Sequence, residues 1–263
     1  MGERLVELRS ISKSFGRIRA LSGVNLYIDK GEVVGLVGDN GAGKSTLIKI
    51  LSGVAQPTSG EIFLRGQPVT GWSAARLREA GIETVFQDRA LALQQSVVRN
   101  IFMGRELAGR FGWLKLGKEI REAERLMREI GFTSSLLSPR SIVGTLSGGE
   151  RQGVAIARAI YNDAELIILD EPTTALSLAE TAKVFRFVRQ LKADGRAVLF
   201  IGHNIHHVYD IADRFVILDR GRVALEVERG ELPSAEALIT LMEEVARPLT
   251  HFETSLGNAE RRR

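Results

Sequence analysis

Nine residues, 38 to 46, combine three glycines with a lysine and two hydroxyl side chains. They fit the pattern GxxxxGK[ST] and lie between an apolar strand predicted over Val33–Val37 and a helical run predicted over 46–51. Glycines let successive backbone N–H groups face an anion, and a helix start adds its positive dipole end. Lys44 would reach the outer phosphates and the Ser45 hydroxyl would ligate Mg²⁺. ATP or GTP is therefore the expected ligand, and a merely structural glycine-rich turn is the alternative.

Two adjacent carboxylates, Asp170 and Glu171, follow the apolar run Leu166–Leu169. Such a run is typical of a strand buried on both faces, and ligands in α/β sheets bind at the carboxyl ends of strands. Successive strand side chains point to opposite faces, so the two acids can have different roles. Asp170 would hold Mg²⁺ through its water shell, and Glu171 would polarise an attacking water. The alternative is a strand that ends in two solvated acids.

A third motif, Ser147-Gly148-Gly149-Glu150, opens a helical run that continues through 154–159. A serine followed by two glycines at a helix start exposes backbone N–H groups to an anion. The same residues are also typical of an ordinary helix start, with a capping serine and an acid at the third helical position. The motif favours an anion site only when it is read together with the other two.

Composition excludes several classes of function. The 263 residues are 44% hydrophobic and include no Cys, which excludes disulfides, thiolate metal sites and cysteine nucleophiles. No stretch approaches the roughly 18 consecutive apolar residues that span a bilayer, so a membrane role would come through a partner. The basic residues are interleaved with acids except at 261–263, a block too short for a nucleic-acid footprint. We expect a frayed tail there and no nucleic-acid partner.

The elements that must position the motifs alternate between strands and helices. Alternating apolar residues over Leu5–Phe15 and Leu21–Ile28 predict an antiparallel pair with a turn near Gly16. Further strands are predicted at 61–64, 82–86 and 197–201, and helices at 74–80, 178–192 and 205–212. This order favours a mostly parallel sheet covered by helices on both sides.

Strand signals fade from about residue 88 to residue 153. Within that stretch, Glu119–Ile130 has helical spacing and Gly131 is suited to end the helix. We therefore predict an α/β fold with a mostly parallel core sheet, an N-terminal antiparallel β subdomain and an inserted α-helical subdomain.

Read in order, the motifs resemble the ATP-binding subunits of ABC transporters over residues 4–225. The Leu146–Glu150 sequence LSGGE is the specific motif, because it separates this family from GTPases and nucleotide kinases. The resemblance implies a P-loop NTPase fold, with the helical subdomain inserted at about 88–153 and a C-terminal helix and frayed basic tail over 226–263. It rests on the phosphate loop (Walker A), Gln87 in Val85-Phe86-Gln87-Asp88, LSGGE, the Asp170-Glu171 pair (Walker B) and His203.

The resemblance also implies a homodimer in which each ATP lies between the Walker A loop of one subunit and the LSGGE motif, called the signature, of the other. ATP and Mg²⁺ are the implied cofactors. The implied nucleotide contacts are Phe15, Gly38, Asn40, Gly41, Gly43, Lys44, Ser45, Thr46, Ser147, Gly148 and Gly149. The implied metal ligands are Ser45, Gln87 and Asp170, and the implied catalytic residues are Lys44, Gln87, Glu171 and His203.

Three of these roles are implied by family position alone. Phe15 matches the aromatic that stacks on adenine, Gln87 the residue that senses Mg²⁺ and the attacking water, and His203 the contact to the γ-phosphate. By themselves, Phe15 is more typical of a core or turn aromatic and Gln87 of an ordinary surface amide. His203 could satisfy a local hydrogen bond or join His206 and His207 in a metal site, although no Cys or acidic partner stands at ligand spacing.

Two positions depart from the family pattern. Ser177, in Ala175-Leu176-Ser177, stands where an Asp is common, which puts communication between the two sites of a dimer in question. Gly202 replaces a hydroxyl residue before His203. Since the Walker residues and His203 are present, we expect a hydrolytically competent site.

The chain also resembles, more finely, the ATPases of bacterial monosaccharide importers. This resemblance rests on the sequence segments 37–43, 100–106 and 203–214. It implies two transmembrane permease subunits as partners, a solute-binding protein as an indirect one, and a peripheral location on the cytoplasmic face of the inner membrane. The alternatives are an importer of another solute, a soluble ABC ATPase that acts on ribosomes or DNA, and an inactive regulatory module.

A permease should dock on the helical insertion, which lies between Gln87 and the LSGGE signature at Leu146–Glu150. We therefore expect exposed apolar residues within 91–104, unless they fill the subdomain core. The candidates are Leu91, Leu93, Val97, Val98, Phe102 and Met103.

Overall fold

A computed structural model describes residues 2–86, 91–109, 113–131, 138–174 and 176–247. The strands are β1 (Arg4–Phe15), β2 (Ile18–Asp29), β3 (Val33–Val37), β4 (Ser59–Leu64), β5 (Gln67–Pro68), β6 (Ile82–Val85), β7 (Leu166–Asp170), β8 (Ala197–Ile201), β9 (Arg214–Asp219) and β10 (Arg222–Glu228). The helices are α1 (Lys44–Leu51), α2 (Ala74–Glu79), α3 (Val97–Phe102), α4 (Leu116–Glu129), α5 (Gly148–Tyr161), α6 (Leu178–Ala193), α7 (Ile205–Ile211) and α8 (Ala235–Ala246).

The core sheet has six strands in the order β10-β9-β3-β8-β7-β6. Every neighbouring pair from β9 to β6 is parallel, and β10 alone is antiparallel to its neighbour. Strands β3 and β8 are buried at every residue, as their continuous apolar sequences predict. The mostly parallel core sheet is confirmed, and parallel pairing places the carboxyl ends of β3, β7 and β8 at one edge.

The N-terminal strands form a second sheet of four antiparallel strands in the order β2-β1-β4-β5. Its inner face packs in one hydrophobic cluster with α1, including Leu8 and Leu26 from the sheet and Leu47 from the helix. Leu36 of the core strand β3 belongs to the same cluster. The β1–β2 pair is thereby confirmed, and its hairpin end is brought beside the loop that precedes α1.

The predicted helical segment contains α3, α4 and the start of α5. Helix α4 ends at Glu129 and is followed by Gly131 at a positive φ of 76°, which confirms the predicted helix end. Val97, Val98 and Phe102 of α3 are buried in the core cluster. For these three candidates the alternative is confirmed: they fill the subdomain core, because this short helix packs against α4 and α5, and they are not available to a partner.

The exposed apolar residues of this segment lie just outside α3. Leu93 is 45% exposed and Met103 is 46% exposed, whereas Leu91 is half-buried against the core cluster. Leu93 and Met103 therefore remain as candidates for a contact surface.

At the C-terminal end, β10 runs past residue 225 to Glu228 as the edge strand of the core sheet. Helix α8 then packs back onto the core cluster through the fully buried Leu238. The division of the chain into an ABC ATPase domain over 4–225 and a C-terminal segment over 226–263 stays a prediction. Strand β10 continues across that boundary. None of the helices within the described residues has the length and hydropathy to span a bilayer.

Candidate nucleotide-binding site

A cavity of about 180 Å³ opens where β3, β7 and β8 end. It brings together the phosphate loop, the two carboxylates and His203, which lie far apart in the sequence. Its lining residues are Ala20, Asp39, Asn40, Gly41, Gly43, Lys44, Ser45, Thr46, Asp170, Glu171, Ile201 and His203. The strand order thus assembles the phosphate loop, the two carboxylates and His203, which the sequence singled out.

The phosphate loop needs glycine at two of its turns. Gly38 has a φ of 148° and Gly43 a φ of 109°, both in the region that favours glycine. A Cβ at Gly38 would also collide with the carbonyl of Leu218, and one at Gly43 with the carbonyl of Ala20. The loop therefore passes tightly between the N-terminal hairpin and β9, and it delivers the first turn of α1 to the cavity, where backbone N–H groups lack intrahelical partners.

Lys44 is the cation of the cavity. Its side chain is buried, and Nζ donates hydrogen bonds to the carbonyl oxygens of Gly38 at 2.5 Å and Asp39 at 3.0 Å. Burial lowers the pKa of Lys44, and the carboxylates of Glu171, Asp39 and Asp170 act in the opposite direction. The ammonium is thus desolvated and positioned to pair with an anion that enters the loop.

The two carboxylates stand at the end of β7. Asp170 pairs in register with Ile201 of β8, and the backbone N–H of Glu171 donates to the carbonyl of Ile201 at 2.9 Å. Glu171 has a φ of 51°, a left-handed conformation that costs a non-glycine residue energy and is concentrated at functional sites. This turn aims the Glu171 side chain into the cavity.

His203 and Thr174 contact the Glu171 carboxylate. His203 Nε2 lies 2.6 Å from Glu171 Oε1, and the Thr174 hydroxyl donates to Glu171 Oε2 at 3.1 Å. The Glu171 side chain is 12% exposed and that of His203 50% exposed, so the carboxylate is the inner member of the pair. A fixed, inward carboxylate with a histidine toward solvent can orient and deprotonate a water beside a phosphate.

The histidines after β8 have separate partners. His207 Nδ1 lies 3.1 Å from the Thr173 hydroxyl, whereas His206 Nδ1 lies 3.9 Å from Glu236 on α8. Burial lowers the pKa of His207. His203, His206 and His207 therefore face different neighbours, and this geometry gives no support to the metal-site alternative.

The signature residues lie outside the cavity lining. Ser147 caps α5 by accepting from the backbone N–H of Glu150 at 3.2 Å, and the Glu150 carboxylate accepts from the backbone N–H of Ser147 at 2.8 Å. The local capping interpretation is confirmed. Gly148 is exposed, and Gly149 is buried.

Phe15 lies on the hairpin whose later residue Ala20 lines the cavity. Its ring is 52% exposed, with Lys13 Nζ 5.0 Å from the ring centroid. The alternative of a core aromatic is wrong, because Phe15 ends β1 at a solvent-facing turn opposite Ile18. Gln87 lies outside the described residues.

Sequence reasoning missed Thr174 and Glu180. Thr174 supports Glu171, and its place shortly after the carboxylate pair was the available signal. Glu180 lies against Gly149 of the signature, a contact that only the tertiary structure brings about.

The sequence pattern of the ABC transporter family matches residues 21–174, more than half of the chain. The chain belongs to the ABC transporter family. This ABC ATPase is 41% identical over 259 residues to the xylose/arabinose import ATP-binding protein of Sulfolobus acidocaldarius, covering 98% of this chain and 99% of that protein. A ribose import ATP-binding protein of Burkholderia pseudomallei is 42% identical over 252 residues, covering 94% of this chain and 48% of that protein. The chain spans about half the length of that ribose relative.

Solved structures share the ABC ATPase fold. A nucleotide-free ATP-binding cassette from an ABC transporter has a TM-score of 0.78 at 25% identity, covering 93% of this chain and 99% of that chain. A dimeric cassette in a post-hydrolysis state, bound to ADP and Pi, has a TM-score of 0.75 at 27% identity, covering 86% of this chain and 99% of that chain. The predicted α/β fold and nucleotide-binding class are thereby confirmed.

Proposed function

We propose that this ABC ATPase is the ATP-hydrolysing, energy-coupling subunit of an importer for a monosaccharide. The observation that carries ATP hydrolysis is the 2.6 Å contact between His203 Nε2 and Glu171 Oε1, inside the cavity that the phosphate loop lines. The choice of a monosaccharide as the transported solute rests on the relatives, whose names assign xylose/arabinose import and ribose import to those proteins.

The chain's own residues account for the chemistry. When ATP enters, its phosphate oxygens would replace the carbonyl oxygens of Gly38 and Asp39 as hydrogen-bond partners of Lys44. The N–H groups at the start of α1 would bind the same phosphates. Glu171 would take a proton from the attacking water, with His203 and Thr174 holding the carboxylate in position. His203 is exposed enough to contact the terminal phosphate from the solvent side.

Ser45 and Asp170 fit a Mg²⁺ ion, because both supply oxygen atoms to one cavity and Ser45 lies in the first turn of α1. Bound there, Mg²⁺ would neutralise charge on the phosphates. Gln87 is proposed as a further ligand on family position only.

We place the second half of each ATP site on another copy of the chain. The signature lies outside the cavity of its own chain, with Ser147 and Gly148 exposed at the start of α5. Dimeric cassettes are among the solved structures with this fold. A homodimer would therefore complete each site with the signature of the opposite subunit.

A second, polar cavity of about 370 Å³ is the proposed docking site for a cytoplasmic segment of a permease. It lies between α2, β6 and the end of α3, where the helical insertion meets the core sheet. Arg105 bridges the two parts by donating to the carbonyls of Asn162 at 3.4 Å and Arg78 at 3.3 Å, and the exposed Met103 adds an apolar contact. Docking there would place the subunit at the cytoplasmic face of the membrane without a spanning helix of its own.

Purified protein should hydrolyse ATP, and cells that express it with its permease should take up labelled pentose only while that activity is intact. Glu171→Gln should abolish both, and Glu124→Gln, at a half-buried acid on α4 outside the nucleotide cavity, serves as the matched control. Stimulation of the ATPase by ribosomes or DNA, without sugar uptake, would overturn the importer proposal. Absence of turnover in the parent would favour a regulatory module.

A further inference from the structure

Glu180, in the first turn of α6, lies directly over the signature. Gly149 is buried beneath its side chain, and a Cβ at Gly149 would collide with the Glu180 carboxylate. Gly148, one residue earlier, is exposed. An acid from another part of the same chain therefore covers the backbone of the central signature residue.

The loop that follows the Walker B carboxylates fixes this acid. Ser177 caps α6, and both its backbone N–H and its hydroxyl donate to Glu180 Oε2 at 2.9 Å. Oε1 is thereby left on the side of Gly149. These Ser177 bonds lower the pKa of Glu180, and Lys183 and the Gly149 backbone N–H act in the same direction, so the carboxylate is ionised at neutral pH.

The position of this charge matters because the start of α5 favours an anion. Backbone N–H groups and the helix dipole bind negative charge at such a start, and a carboxylate of the same chain competes for them with an incoming phosphate. Two anions at one helix start also repel each other.

We infer that Glu180 is a further determinant of the ATP site: it covers the Gly149 backbone until the terminal phosphate of ATP, held by the opposite subunit, displaces it. Glu180 acts through the signature and is a positioning residue, not a catalytic one. The inference rests on the proposed sandwich dimer. Ser177, which departs from the family pattern, would hold the competing carboxylate in place through its two hydrogen bonds.

Neutralising this acid should make ATP-driven dimerisation easier. Glu180→Gln keeps the shape and one acceptor oxygen but removes the charge, and a neutral acceptor is the weaker competitor. The ATP concentration for half-maximal dimerisation should fall by about 2- to 5-fold, the range expected for a charge at a helix start. A residue that merely supported α5 or α6 would give the opposite result, since its loss would weaken dimerisation.

The experiment uses the full chain with Glu171→Gln, so that hydrolysis does not reverse dimerisation, and follows ATP titrations by light scattering. Glu236→Gln is the matched control, because Glu236 also lies in the first turn of a helix and accepts a hydrogen bond from its capping serine, on α8. It should leave the titration unchanged. Glu180→Ala gives a second variant, expected to shift the midpoint in the same direction, and thermal melting verifies that both proteins fold.

Each outcome separates the two proposals. If the Glu171→Gln protein stays monomeric at saturating ATP, the sandwich dimer is wrong and the Glu180 inference falls with it. If that protein dimerises but folded Glu180→Gln and Glu180→Ala variants need as much ATP or more, only the Glu180 inference is overturned.

Discussion

His203 Nε2 lies 2.6 Å from Glu171 Oε1, although the two residues belong to loops after different strands. Pairing of Asp170 with Ile201, at the ends of β7 and β8, sets this distance. The contact gives the proposed general base a partner on its solvent side. The two residues have different expected roles, so each is tested with a variant of its own.

Glu171→Gln should preserve nucleotide binding and reduce turnover by about 10²- to 10⁴-fold, because it removes a proton acceptor but keeps the side-chain shape. Steady-state phosphate release and ATP binding by calorimetry measure the two effects. With ATP the variant should accumulate as a dimer on size exclusion. Turnover near the parent rate would remove Glu171 from the role of base.

His203→Ala should reduce kcat by about 10²-fold through misplacement of the Glu171 carboxylate and a lost phosphate contact, with a smaller change in KM. His206→Ala is the matched control, since that imidazole is also exposed but faces Glu236, outside the cavity. Equal losses of kcat in both variants would contradict a specific role for His203.

Phe15→Ala should weaken ATP binding by about 1–3 kcal/mol if the exposed ring stacks on adenine. Folding stability should change little, because the ring is 52% exposed. Ile18→Ala is the control: Ile18 pairs with Phe15 across the same hairpin and is 72% exposed. Calorimetry that finds the same ATP affinity in both variants would leave Phe15 as a turn aromatic.

His207 should make stability depend on pH. Burial lowers its pKa in the folded state below the ordinary value of 6.5, with His206 acting in the same direction and Asp210 in the opposite one. The unfolded chain therefore binds the proton more readily, so stability should decrease as the pH falls below about 6.5. His207→Gln should reduce this dependence in melting curves between pH 5 and 8, whereas an unchanged curve would assign the effect to other groups.

Met103→Glu should reduce recovery of the protein with membranes and uncouple uptake from hydrolysis, because Met103 lines the proposed docking cavity. ATPase activity of the purified protein should stay within a few fold, since Met103 is outside the nucleotide cavity. Val54→Glu is the control, at a residue that is 59% exposed and lies in neither cavity. Normal membrane recovery of Met103→Glu would move the docking site elsewhere.

By itself, the sequence determined the local motifs and most of the elements, although it did not predict β9 and β10. Continuous apolar runs predicted β3 and β8 with the bounds that the structure has, because a strand buried on both faces leaves no room for polar residues. The phosphate loop was equally readable, since its glycines are required by backbone conformation within the loop itself.

Tertiary structure decided everything that depends on which elements pack together. Helical spacing could not separate a docking surface from a core in α3, and packing against α4 and α5 buried Val97, Val98 and Phe102. Nor could a capping pattern at Ser177 and Glu180 reveal that the acid would lie over Gly149. Local patterns encode the conformation of a segment, whereas contacts between distant segments follow from the strand order and from how the faces of the whole chain fill space.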